Sequence, residues 1–135
     1  ICEADHLFAT RLWQNNSKVH FDINAREDKK RLIYGGHIIS LVRALSFNGL
    51  ENAQVIVGIN GGTHANPVFA EDTIYCWSEV LDKIDLNVRN IAALRLRSVG
   101  TKEKNHKMRL KSDDGKYLPT IVLDFDYWVL VPREL

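Results

Sequence analysis

Residues 35–49 limit what this chain can fold into more than any other stretch. Gly35-Gly36-His37 leads into Ile38, Ile39, Leu41, Val42, Ala44, Leu45 and Phe47, and Asn48-Gly49 closes the run. Ile38, Leu41, Val42 and Leu45 share one face at i, i+3, i+4, i+7 spacing, while Ile39, Ala44 and Phe47 make the other side apolar too. A helix apolar nearly all round is expected to be buried all round. At 1.5 Å per residue it spans about 20 Å, with Asn48-Gly49 as a left-handed stop. Such a helix requires a layer to wrap it.

The later sequence supplies that layer. Val55–Ile59 is a short β-rich run, and Thr73–Leu81 holds Ile74, Tyr75, Cys76, Trp77 and Val80. Ile91–Val99 sets Leu94 and Leu96 against Arg95 and Arg97. Ile121–Val131 alternates most plainly, with Leu123, Phe125, Tyr127 and Val129 opposite Asp124, Asp126 and Trp128. Period-two alternation marks half-buried strands. The connection over 100–118 (Lys102, Glu103, Lys104, Asn105, Lys107, then Asp113-Asp114-Gly115) is polar and carries a turn signal, which favours antiparallel hairpin pairing. Ahead of the central helix, residues 4–16 predict a first helix with Leu7, Phe8, Leu12 and Trp13 as its apolar stripe, ending at Gln14-Asn15-Asn16-Ser17. Residues 22–31 are dense in charge and read as a solvated face.

One buried helix followed by long antiparallel strands is an α+β pattern, and specifically the hot-dog pattern: an antiparallel sheet wrapped around a long central helix. Other α+β arrangements share these elements. With 135 residues, 45% of them apolar, the chain is long enough for one such domain over 1–135 and a core of its own. A lone hot-dog domain leaves a sheet edge open, so pairing with a second one is expected, as a dimer or as two halves of one chain. The chain has no initiator Met and enters amphipathic sequence almost at once, which suggests a domain of a longer polypeptide.

Several function classes lose support on charge and composition. A net charge of +1 gives no global field to draw nucleic acid or an anionic membrane. No apolar run approaches the length of a membrane span, and the acidic start Glu3-Ala4-Asp5 does not resemble a secretory leader. Cys2 and Cys76 lie far apart without CxxC spacing and read as reduced thiols of a cytoplasmic protein. No His or Cys stands at ligand spacing, so no metal site is expected.

Three phrases carry a family resemblance: Gln14-Asn15-Asn16-Ser17-Lys18-Val19-His20-Phe21-Asp22, Arg31-Leu32-Ile33-Tyr34-Gly35-Gly36-His37-Ile38, and Pro67-Val68-Phe69-Ala70-Glu71-Asp72-Thr73. They resemble the MaoC-like (R)-specific enoyl-CoA hydratases, which carry an Asp-x-Asn-Pro-x-His segment, a His-Gly step opening the central helix and a Pro-Val-x-x-Gly-Asp turn. A narrower likeness joins residues 34–50 with Tyr75-Cys76-Trp77-Ser78-Glu79-Val80-Leu81, Ala93–Arg97 and Leu123–Leu130. This co-linear set is similar to the C-terminal half of the mesaconyl-CoA hydratases (β-methylmalyl-CoA dehydratases), a family of two hot-dog halves, and it spans essentially the whole chain.

The resemblance implies a hydro-lyase that reversibly hydrates an enoyl-CoA, of the mesaconyl type, with coenzyme A as part of the substrate and no separate cofactor. His20 matches the family's catalytic imidazole, a group that titrates near neutrality and can both take and return a proton. Gly36 matches the glycine whose N–H binds the thioester oxygen, at a helix start where amides are unpaired and dipole-aligned. Gly35 lets the ligand approach the backbone. The general motif's Asp, five residues before the His, is Asn15 here, or Gln14 if the segment holds one extra residue. An amide is no base, but it can orient water. Asp22 is a possible carboxylate partner that stands two residues from His20. His37 is a candidate pocket residue, as is His64 in Asn60-Gly61-Gly62-Thr63-His64, which reads as a flexible loop between strands; His6 is a weaker one, and Arg43 is expected either to meet a second substrate carboxylate or to ion-pair at an interface. Two rival readings stand beside the hydratase: a non-catalytic acyl-binding half, and an acyl-CoA thioesterase.

Overall fold

The structure, a computed structural model, describes residues 1–53, 55–88, 90–104 and 109–133. Four antiparallel strands, β1 (Val55–His64), β2 (Tyr75–Val88), β3 (Ile91–Thr101) and β4 (Ile121–Pro132), form one sheet in the order β1-β4-β3-β2. Helix α1 (Glu3–Leu12) precedes helix α2 (Gly35–Leu45), and α2 lies on one face of the sheet. This is the hot-dog arrangement. Among the described residues no helix is long and apolar enough to cross a membrane.

The alternation read in β4 is what builds the core. Leu123, Phe125, Tyr127 and Val129 are buried with Leu96 of β3, and Ile38 and Val42 of α2 pack onto them. On the other face the polar residues pair across strands. Arg97 donates two hydrogen bonds to Asp124 (2.7 and 2.6 Å), and Arg95 donates two to Asp126 (2.9 and 2.6 Å). Burial acts to raise the Asp124 pKa, yet the Arg97 and Tyr117 hydrogen bonds outweigh it and hold the carboxyl below the ordinary carboxylate range. A buried carboxylate satisfied in this way costs the fold little.

Four expectations are corrected. Helix α2 ends at Leu45, so its 11 residues span about 16 Å; Gly49 still takes the left-handed conformation, φ 86°, one turn later. It is buried on one side only: Ile38 and Val42 are enclosed, whereas Leu45 and Phe47 are 44% and 58% exposed. One sheet face covers one face of a helix, so the remaining apolar side stays open. Helix α1 stops at Leu12, and the apolar stripe assigned to it faces outward, with Phe8, Leu12 and Trp13 exposed. His6 and Thr10 are its buried pair, because His6 hydrogen-bonds the main chain on both sides of the site described below. Finally, residues 60–64, read as a loop, continue β1 to His64, since their amides pair with β4 as far as Leu123.

The strand β3 to β4 connection turns at Gly115 (φ 80°) and pairs Lys111 with Tyr117, while Asn105 and Lys107 lie outside the described residues. The charged run 22–31 is mostly exposed and makes one short 3-10 turn, Ile23–Ala25.

Gly100 sets how closely α2 approaches the sheet. A Cβ there would stand 2.8 Å from Val42 Cγ2 and 3.2 Å from Val122 Cγ2. Gly100→Ala is therefore expected to cost about 1–3 kcal/mol in urea unfolding, the usual cost of overpacking a filled core; a loss within about 0.5 kcal/mol, ordinary for a surface change, would show that the helix is not seated this tightly.

Candidate active site

Two chain segments meet at the start of α2, and hydrogen bonds fix their relation. After α1 the chain reverses through Gln14 (φ 54°), and the Asn15 N–H donates to Thr10 O at 2.9 Å. Asn15 Oδ1 accepts the Ser17 N–H at 3.0 Å, which leaves the Asn15 side-chain NH2 as its unspent donor. A 3-10 turn, Lys18–His20, then brings His20 beside Leu32. The Leu32 N–H donates to Val19 O at 2.9 Å, and His20 Nδ1 lies 2.8 Å from Leu32 O. A carbonyl can only accept, so the proton sits on Nδ1 and the lone pair of the neutral ring sits on Nε2. Nε2 has no hydrogen-bond partner among the described residues. It is an available base.

His6 ties the two segments together from beneath. Its ring is fully buried; Nδ1 accepts the Tyr34 N–H at 3.1 Å, so Nε2–H donates to His20 O at 2.8 Å. Both bonds require the neutral ring. Desolvation by burial is the main cause that lowers the His6 pKa, against the raising effect of its bond to His20 O.

Helix α2 opens without a side-chain cap. The N–H groups of His37 and Ile38 fold back to Tyr34 O, at 3.0 and 3.3 Å. Those of Gly35 and Gly36 find no acceptor among the described residues, as the first amides of a helix must unless something else supplies one. Each glycine lies under an aromatic ring. A Cβ on Gly35 would stand 2.6 Å from His64 Nε2, and one on Gly36 would stand 2.6 Å from Tyr34 Cζ. Only a residue lacking Cβ leaves those rings where they are.

His20, Asn15, Tyr34, Gly35, Gly36 and His64 line one cavity of about 510 Å³, with Ile33, Ile38, Val68 and Val122 as its apolar wall. Five sequence candidates thus share one space. Two others are corrected. Gln14 does not line this cavity; after its left-handed turn it lines the adjoining groove with Leu7, Arg11 and Phe21, and Asn15 borders both. His37 is not among the residues that line this cavity; its ring stands edge-on to buried His6 with centroids 6.4 Å apart, and desolvation lowers its pKa, against the opposing pull of Asp5. Asp22 is not a partner for His20, because its carboxylate accepts the Asn24 N–H. Arg43 forms no ion pair among the described residues: it donates to Ala53 O (2.7 Å), Tyr127 Oη (3.1 Å) and Ser46 Oγ (3.3 Å). Seven residues beyond Gly36, it sits about 10 Å further along the helix. Sequence reasoning underrated His6 and passed over Tyr34. The i, i+4 spacing of His6 and Thr10 was the available signal for His6.

No family model matches the chain. It is 60% identical over 131 residues to mesaconyl-CoA hydratase of Cereibacter sphaeroides, a match over 97% of this chain and 38% of that protein. It is 52% identical over 137 residues to β-methylmalyl-CoA dehydratase of Chloroflexus aurantiacus, covering 98% of this chain and 39% of that one. A crystal structure described as a MaoC domain protein dehydratase from Chloroflexus aurantiacus J-10-fl superposes with a TM-score of 0.94 at 50% identity, over 100% of this chain and 40% of its own. The chain thus spans about two fifths of the length of the relatives it matches.

The His6 bonds have a pH signature. A folded-state pKa below the ordinary imidazole value near 6.5 means stability that is complete above that value and is lost as pH falls through the lowered pKa. Asp72, Asp124 and Asp126, whose pKa values are lowered from 3.8, lose theirs only in more acid solution. Urea midpoints are therefore expected to fall between pH 7 and 5. His6→Leu should lose about 2 kcal/mol at pH 7, from two main-chain groups left unpaired, and should show a shallower fall on acidification. An unchanged pH slope in the variant would contradict this role for His6.

Proposed function

We propose that the chain belongs to the MaoC-like hydratases, as its likeness to two curated relatives and one solved structure supports, and that it holds a hydro-lyase site for an enoyl-CoA thioester of the mesaconyl type. The observation that carries this reading is the convergence, in one cavity, of an unspent His20 Nε2 with the unspent amides of Gly35 and Gly36.

Hydration of an enoyl thioester needs a base for water and a place for the charge that develops on the thioester oxygen. With that oxygen on the Gly36 N–H, the helix dipole and the free amide stabilise the enolate as it forms. His20 Nε2 takes a proton from water, the hydroxyl oxygen bonds to the β-carbon, and the π pair moves toward the α-carbon and the thioester oxygen. The imidazolium then returns its proton to the α-carbon, so that H and OH are added and the ring ends neutral. The Leu32 carbonyl on Nδ1–H keeps the ring in the required tautomer and steadies the transient cation. Asn15, standing where the wider family has an Asp, can hold water through its side-chain NH2 but cannot take a proton. One imidazole therefore does the proton transfer in both directions. The cycle calls on no metal or redox cofactor; coenzyme A arrives with the substrate.

The exposed apolar residues support a paired arrangement. Val55, Val57 and Ile59 of edge strand β1 are 55%, 54% and 64% exposed, and an open apolar edge is a pairing surface. In this reading a second hot-dog domain covers them and closes the cavity, in the cytoplasm, where Cys2 and Cys76 stay as the free thiols they are here.

His20→Ala should lower kcat for mesaconyl-CoA hydration by about 10²-fold or more, the usual share of a general acid–base group, with no release of free coenzyme A by either form. Hydration near the wild-type rate in the variant would reject the assignment, and thiol release without hydration would make the protein a thioesterase.

A further inference from the structure

His64 is the pocket residue to which the hydration cycle assigns no task. It closes strand β1, opposite Leu123 of β4, and its side chain has no hydrogen-bond or ion-pair partner among the described residues. Its Nε2 is the atom that a Cβ on Gly35 would meet at 2.6 Å, so it stands beside the first amides of α2. Among the described residues no Lys or Arg lines this cavity. Apart from His20, whose Nε2 is committed to the proton transfer, His64 is the one described side chain there that can carry positive charge.

The substrate chemistry needs such a group. A mesaconyl thioester carries a second carboxylate on the carbon that receives the hydroxyl. From the thioester oxygen to that carboxyl carbon is about 5 Å, given ordinary bond lengths. A carboxylate brought into the cavity without a cationic or donor partner would be penalised heavily. Arg43, the cation that the sequence offered for this task, is about 10 Å along the helix and spends its donors on Ala53, Tyr127 and Ser46. His64 lies at the right end of α2.

We propose that His64 receives the second carboxylate of the acyl group, so that the cavity selects dicarboxylic acyl-CoA thioesters over those with an uncharged chain. The inference rests on the hydratase reading for the pose of the thioester. Desolvation by burial lowers the His64 pKa; an arriving carboxylate opposes that shift and favours the charged ring. Even the neutral ring offers one N–H to the anion.

Succinyl-CoA and butyryl-CoA test this without turnover, since both are saturated and differ by a carboxylate in place of a methyl. Calorimetric titration of the wild-type protein should show tighter binding of succinyl-CoA. His64→Gln, which keeps a neutral donor but removes the charge, should weaken succinyl-CoA about tenfold, the scale of one charge-assisted hydrogen bond, and shift butyryl-CoA less than about threefold. A parallel loss for both ligands would assign His64 to the thioester oxygen or the coenzyme and overturn the proposal, as would no loss for either, or no wild-type preference. Neither ligand reports on hydration, so failure of the hydratase reading shows in the His20→Ala kinetics while this result is read separately.

Discussion

The contact between Val42 and Gly100 governs the rest of the molecule. It lets helix α2 settle onto β3 and β4 at a distance that any side chain at residue 100 would enlarge. Burial of Ile38 and Val42 against Leu96, Leu123 and Tyr127 then fixes the helix in place and with it the position of its first turn. A helix start necessarily has amides that its own backbone cannot satisfy. Most chains cap them with a side chain. Here the residue before Gly35 is Tyr34, which offers no cap, and the two glycines whose amides lack an acceptor among the described residues line an open cavity instead.

The second constraint is the direction of each hydrogen bond around His20. Leu32 O takes the proton of Nδ1, Nε2 is left as the base, and the His20 carbonyl accepts the Nε2–H of the buried His6. His6 in turn receives the Tyr34 N–H, so the segment with the base and the segment with the free amides hang on one ring. The imidazole of His20 and the helix start therefore move as a unit. A shift in either would break a bond to a buried group, which costs more than a typical surface contact.

How far the sequence revealed this depended on whether a residue's surroundings were themselves local. The alternation in β4 was legible because one sheet face is apolar and the other is a ladder of Arg and Asp, and every second residue records the difference. Gly36 was legible for a related reason, since the ring packed on it belongs to Tyr34 nearby in sequence, whereas the ring packed on Gly35 comes from His64 on β1. In helix α1, Phe8, Leu12 and Trp13 form a stripe, yet its packed residues are His6 and Thr10, and nothing in the stripe says which side meets the rest of the fold. Residues 60–64 looked like a loop because Asn60-Gly61-Gly62 is turn chemistry, and only pairing with β4, about 60 residues away, makes them a strand. Gln14 and His37 fall just outside the cavity, Gln14 after a left-handed turn that places it in the adjoining groove and His37 with its ring against His6.

Hydration as proposed requires the thioester oxygen to rest on the amides of Gly35 and Gly36 within reach of His20. A crystal structure of the protein with butyryl-CoA tests that directly. The oxygen should lie about 3 Å from the Gly36 nitrogen, with the acyl β-carbon facing His20 Nε2. An acyl group seated elsewhere, or a thioester oxygen turned away from the helix start, would contradict it.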